Sequence, residues 1–259
     1  MSTQKIVNYK TGAVIIEKPV EDFKDLGKLL EWAAKIGCNL HSADLTGAYL
    51  DYVSIRGTAL KCSRLVSANL IGANLMWSDL SYANIKNASL FDANLQRTTL
   101  INTNLCSVNL VNANLHGAHL CGANLTGANL ASANLTFCLL TGANLKDANL
   151  PSPTTVLLAD WERLSYDLTA DLMVWDSLNH PDPTAFDRWA NGGSCPYSET
   201  KVQRAANFRE RRELWGKGKA CSPYELMQRV LAERCPPWTK EQEEEFEHWF
   251  STDNKGATE

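Results

Sequence analysis

Cysteine and histidine are the residue types that most often signal chemistry, and His180, Cys195, Cys221 and Cys235 all stand in the last third of the chain. Thiolates and an imidazole close a tetrahedral zinc site when short clips such as C-x2-C pre-pair the ligands. Here the cysteines are 26 and 14 residues apart with no clip, so the expectation is small buried thiols and no metal. Cys195, in GGSCPY, would be a nucleophile only with a base such as His180 beside it, and no local signature supports that pairing. His116 and His119 fall in different five-residue units, which argues against a joint acid–base or metal role. The segment VQRAANFRERRELWGKGK (202–219) sets Arg204, Arg209, Arg211, Arg212, Lys217 and Lys219 beside Phe208 and Trp215. Basic and aromatic residues together suit nucleic acid, but a solvated helix paired with neighbouring acids is the commoner arrangement. No catalytic, metal or cofactor-binding residue is assigned, and the expectation is a chain that is not an enzyme and carries no cofactor.

What positions these residues is a periodicity. Every fifth position from Leu40 to Leu150 is Leu or Ile, 23 in succession. Two positions earlier stands Ala at 14 sites and Cys, Ser, Thr or Val at the other nine; one position earlier Asn or Asp occurs 15 times. An α-helix would scatter residues spaced by five around its surface, and a continuous strand would alternate them between its two faces. They share one interior only if the chain turns after each unit, always in the same sense. Such turning makes a solenoid whose coils stack at about 4.8 Å.

The units SADLTGAYL, SANLIGANL, DANLQRTTL and TGANLKDANL resemble the A(D/N)LXX motif of the pentapeptide-repeat proteins. The resemblance covers residues 38–150. It implies a mainly β solenoid, a right-handed quadrilateral β-helix with four units per coil and therefore about six coils.

Both ends of such a rod need caps. GAVIIE (12–17) reads as a strand. KPVEDFKDLGKLLEWAAKIG reads as a helix with Pro19 near its start, Gly37 past its end, and Phe23, Leu26, Leu30 and Ala33 or Ala34 as its apolar stripe. After Leu150 the prolines of PSPTTVLLADW end the repeat. Leu164, Leu168, Leu172 and Trp175 then recur at helical spacing. DPTAFDRWANGG reads as a short helix, and SPYE and TKEQ read as capping boxes opening two more. The expected organisation is an N-terminal strand–helix cap (1–37), the rod (38–150), an α-helical subdomain (151–250) and a flexible tail (251–259).

No apolar run approaches a membrane span, and MSTQKIVNYK lacks the pattern of a secretory signal, so a cytoplasmic setting is expected, with its eight cysteines reduced. Residues 151–259 hold thirteen basic against nineteen acidic side chains, whereas residues 41–150 hold six against five. Some relatives in the family inhibit gyrase by imitating a DNA duplex. That needs a negative rod, and a net of +1 disfavours it here. The leading expectation is a structural, protein-binding scaffold. Steps of 20 place Asp51, Ile71, Phe91, Val111 and Ala131 in one outward column, with Tyr49 and Tyr52 at its start. This apolar column is expected to be covered, by a second copy or by the C-terminal helices.

Overall fold

The computed structural model describes residues 3–23, 25–161, 163–182, 184–194, 208 and 210–251. Its centre is the expected solenoid. Bridges join Asp44 to Arg64, Tyr49 to Asn69, Ser54 to Asn74 and Ala59 to Asp79, and so on through the rod, always parallel and 20 residues apart. Four five-residue sides therefore make each coil. Leu50, Ile55, Leu60 and Leu65 are fully buried, as are the small residues Ala73, Ala93, Ala113 and Ala123 two positions before later leucines. At the last coil Leu145, Ala148 and Leu150 are only half-buried.

The walls are narrower than "mainly β" suggests. Each side contributes a single bridge residue and gives the rest of its length to a corner. At nearly every corner the amide two before a leucine donates to the preceding leucine carbonyl, as from Ala73 to Leu70 and Ala93 to Leu90, while the Thr58 amide donates to Ser78 Oγ. The third residue of each such turn has positive φ: Gly57 (+64°), Ser67 (+55°), Trp77 (+62°), Arg97 (+54°). This is the signature of a type II turn. The Asn or Asp that stands before most of the leucines has a clear task. Its Oδ1 accepts from the amide two residues on, as from Ile71 to Asn69 (3.3 Å), Ser81 to Asp79 (2.9 Å) and Thr126 to Asn124 (3.1 Å). An amide that the ladder leaves free at the corner is thereby satisfied.

Where Ala is replaced inside the rod, the polar atom usually finds a carbonyl 23 residues back. Ser78 donates to Ile55, Thr98 to Leu75, Thr103 to Leu80 and Cys138 to Leu115, at 2.8–3.0 Å.

The N-terminal cap holds more than one strand. β1 (Thr3–Val7) pairs antiparallel with β2 (Val14–Pro19). The hairpin stands in for a missing coil: Asp44 donates to the Val7 carbonyl at 2.8 Å, as Arg64 does to Ala43 one coil later. Pro19 ends β2 and does not open the helix. Helix α1 spans Leu26–Lys35, and its N-cap Asp25 accepts from the Lys28 amide at 2.7 Å. Its buried face is Leu29, Leu30 and Ala33. Phe23 lies before the helix and packs against Trp32, ring centroids 5.6 Å apart. The Ser54 amide donates to Glu31 at 3.0 Å, seating α1 on the first coil.

Beyond Leu150, α2 (Pro153–Leu157) replaces one side of the final coil. The chain then returns to the ladder, where the Asp160 amide donates to Cys138 at 2.7 Å. Helices α3 (Tyr166–Asn179), α4 (Ala185–Ala190), α5 (Pro223–Arg234) and α6 (Lys240–Ser251) follow, with a 3-10 turn at Arg212–Leu214. Ser222 caps α5, and Thr239 with Gln242 forms a reciprocal box at α6, 2.9 and 3.2 Å. Phe186 is the hub of the aromatic core, with Trp189, Phe208 and Trp215 around it at 5.2–6.3 Å. The tail after Ser251 lies outside the described residues.

Candidate interaction surfaces

The segment between α5 and α6 closes the rod. Gly142 donates to the Arg234 carbonyl at 2.8 Å. Cys235, buried, donates to Leu140 at 2.9 Å, and the Trp238 indole donates to Gly142 at 3.0 Å. From there α6 runs back along the rod. Lys146 and Glu243 pair at 3.0 Å, and Tyr82 meets Trp249 at 5.7 Å. Twelve residues of helix cover about 18 Å, close to the span of the coils between residues 142 and 62.

This placement corrects one expectation. α6 does not cover the apolar column of Ile71, Phe91, Val111 and Ala131. It lies on the corner carrying Tyr82, Asn102, Gly122 and Gly142. The two corners are ten residues apart in a 20-residue coil, so they are diagonally opposite. In the apolar column Ile71, Phe91, Val111 and Ala131 are half-buried, while Tyr49 and Tyr52 are 81% and 74% exposed. The Tyr52 ring lies along the wall over Gly72, where a Cβ would meet it at 2.6 Å.

Of the basic segment's described cations one is turned inward, while Arg212, Lys217 and Lys219 are exposed. Arg211 is buried; it donates to the Leu164 carbonyl and, at 2.6 Å, to Thr169 Oγ1. Arg212 stacks on Trp189, and Glu210 pairs with Arg163 at 3.2 Å. The Trp215 indole donates to Asp187 at 3.2 Å. These bonds knit α3 and α4 together in place of a phosphate-facing surface. Arg204 and Arg209 lie outside the described residues.

The cysteine–histidine set does not converge. α5 alone, about 18 Å long, separates Cys221 from Cys235. His180 Nδ1 accepts from the Asp182 amide at 3.0 Å at the end of α3, and Cys195 lies outside the described residues. Among the described residues no three His, Cys, Asp or Glu side chains stand together as a metal site. Burial pushes the Cys138 and Cys235 thiols up to about 12, which keeps them protonated and inert at neutral pH. His116 packs its ring against Phe137 at 5.3 Å. Among the described residues no helix is long and apolar enough to cross a membrane.

Coils of four five-residue sides, each built on a central leucine and a small residue two before it, define a pentapeptide solenoid. The family model described as pentapeptide repeats matches in eight copies over residues 60–91, 88–127 and 128–152. The chain belongs to the pentapeptide-repeat proteins. It is 45% identical to the pentapeptide repeat protein Rfr23 from the cyanobacterium Cyanothece 51142, over 34% of this chain and 60% of that one, with a TM-score of 0.34. It is 30% identical to the pentapeptide repeat protein alr5209 from Nostoc Pcc 7120, over 49% of this chain and 86% of that one, with a TM-score of 0.29. QnrB1, a plasmid-mediated fluoroquinolone resistance protein, is 19% identical over 45% of this chain and 59% of its own, with a TM-score of 0.42. The chain thus spans less than two thirds of Rfr23 and of QnrB1. The assignment rests on the repeat sequence and not on these superpositions. No curated protein matches the chain.

Proposed function

We propose that the chain is a non-enzymatic protein-interaction module, acting in the cytoplasm, whose rod presents the corner of Tyr49, Tyr52, Ile71, Phe91, Val111 and Ala131 to a protein partner. In this reading the rod is a right-handed quadrilateral β-helix of about six coils over residues 38–150. Residues 1–37 cap it, 151–250 form the helical subdomain and 251–259 a tail. The observation that carries the reading is the pairing of two diagonal corners. One is covered by α6; the other carries Ile, Phe, Val and Ala in successive coils and begins at two tyrosines that are mostly solvent-facing. Aligned apolar side chains on a rigid wall, with aromatic residues at one end, have the composition of an interface core.

The gyrase-directed alternative has less support. Asp44, Asp51, Asp79, Asp92 and Asp147 face Arg56, Lys61, Arg64, Lys86, Arg97 and Lys146 on the rod, and a near-neutral rod imitates phosphate poorly. Contact with nucleic acid through residues 202–219 is weakened by the buried role of Arg211.

A photo-crosslinking amino acid in place of Phe91, in the full-length protein within its source cell, tests the reading. A discrete adduct, to a second copy or to another protein, that disappears with Ile71→Asp supports it. Adducts formed only from a probe at Gln96 or Lys86, on the neighbouring corners, would sink it.

A further inference from the structure

Between α6 and the rod lies a cavity of about 410 Å3, its floor on the corner of Tyr82, Asn102, Gly122 and Gly142 and its roof on one face of the segment leading into and through α6. Its floor exists because the corner column changes from side chains to glycines. Gly122 and Gly142 stand where Cys62, Tyr82 and Asn102 stand in earlier coils. Its roof exists because Trp238, Gln242, Glu245, Phe246 and Trp249 recur at intervals of three and four, on one face of the segment leading into and through α6. The volume falls in the usual range of small-molecule sites.

The lining is chemically one-sided. Tilted aromatic pairs flank it: Trp238 with Phe246, centroids 4.9 Å apart at 58°, and Tyr82 with Trp249, 5.7 Å apart at 45°. Among the described residues no Lys, Arg or His lines it, and Glu245 is its one carboxylate. The two acids just before it on α6 are engaged, Glu243 with Lys146 at 3.0 Å and Glu244 with Lys240 at 3.7 Å. Among the described residues Glu245 has no ion-pair partner. Aromatic faces carry the negative part of a quadrupole and attract a cation most when it is weakly hydrated. Lys61, outside the cavity, already sets its ammonium 5.6 Å from the Tyr82 ring centroid. An anion would meet the Glu245 carboxylate and the ring faces, with no lining cation among the described residues to offset them, and a neutral apolar molecule would leave the carboxylate unused.

We propose that the α6 groove is a binding site for a small organic cation of the alkylated ammonium class. The rings of Trp238, Phe246 and Trp249 contact its alkyl groups, Glu245 balances its charge, and the two glycines give it room against the wall.

Choline and its neutral carbon isostere 3,3-dimethylbutanol, titrated into the full-length protein by calorimetry, decide the matter. Choline should saturate one site and bind at least about tenfold more tightly than the isostere. The indole proton resonances of Trp238 and Trp249 should shift while that of Trp161, buried elsewhere, stays in place. Glu245→Gln, at an exposed position, should weaken choline by about three- to tenfold with an unchanged melting temperature. Equal affinity for both titrants, shifts confined to other tryptophans, or no saturable binding at about 10 mM would each overturn the proposal.

Discussion

The amide of Gly142 donates to the carbonyl of Arg234 at 2.8 Å, as Gly122 donates to Thr141 one coil earlier at 3.1 Å. The last corner of the rod thus finds its ladder partner in a residue 92 positions away, supplied by the end of α5. Cys235 extends the imitation. Its thiol donates to Leu140 as the Cys138 thiol donates to Leu115 inside the rod.

If this seam anchors α6, Trp238→Ala should free the helix and spare the coils. The substitution removes the indole bond to Gly142 and the ring contact with Phe246. Hydrogen exchange should then accelerate about tenfold or more across residues 240–250 and stay unchanged across residues 60–120. Equal acceleration in both would mean that the seam belongs to the rod's own cooperative unit.

Cys235 should make the fold sensitive to alkali. Burial raises its thiol from 9.0 to about 12 in the folded protein. Below pH 9 the thiol is neutral in both states and its contribution is intact. Between about pH 9 and 12 only the unfolded chain ionises, so stability falls as pH rises, by at most about 1.4 kcal/mol per pH unit for each such thiol. Cys138, raised to the same level, adds a parallel slope. Urea denaturation across this range should therefore be shallower in pH for Cys235→Ala than for the wild type, and shallower again for the double variant with Cys138→Ala.

The corners predict a pure backbone effect at Gly57. Its φ is +64°, and a Cβ built there would touch nothing within 4 Å. Gly57→Ala should destabilise by about 1 kcal/mol through left-handed strain alone, and Gly57→Asn by less. Thermal melting of the two variants beside the wild type reads the order; an unchanged Gly57→Ala would show that the corner relaxes.

The interior of the rod was legible because one rule, a leucine every fifth residue with a small neighbour, repeats without interruption from Leu40 to Leu150. The task of the asparagines was visible as a frequency and not as a mechanism, since the amide they satisfy exists only once the corner has formed. β1 escaped notice because TQKIV offers only Ile6 and Val7 as apolar residues; its partner is specified by the hairpin and by the open first coil. Pro19 misled because proline suits both a strand edge and a helix start. The stronger signal was Asp25, three residues before the amide it caps. The docking corner of α6 was missed for a different reason. The column of His41, Lys61, Ser81, Ile101, Cys121 and Thr141 reads as mostly polar, but the helix meets its neighbour, where Tyr82 supplies a ring and Gly122 and Gly142 supply space. The basic segment looked outward because sequence does not reveal that Arg211 reaches back to Thr169.

A ladder of identical coils cannot count itself: removing 20 residues from its middle would leave every bond between the remaining coils as good as before. α6 changes that. It is anchored beside Gly142 and reaches Tyr82 three coils away, so deleting one intervening coil would slide Trp249 about 4.8 Å past its ring partner. The helix is a ruler laid along the rod. Gain or loss of a repeat, which a bare solenoid tolerates, would here be felt as a misfit at the far end of α6, and the number of coils is thereby tied to the length of a helix that begins 90 residues beyond the rod's last leucine.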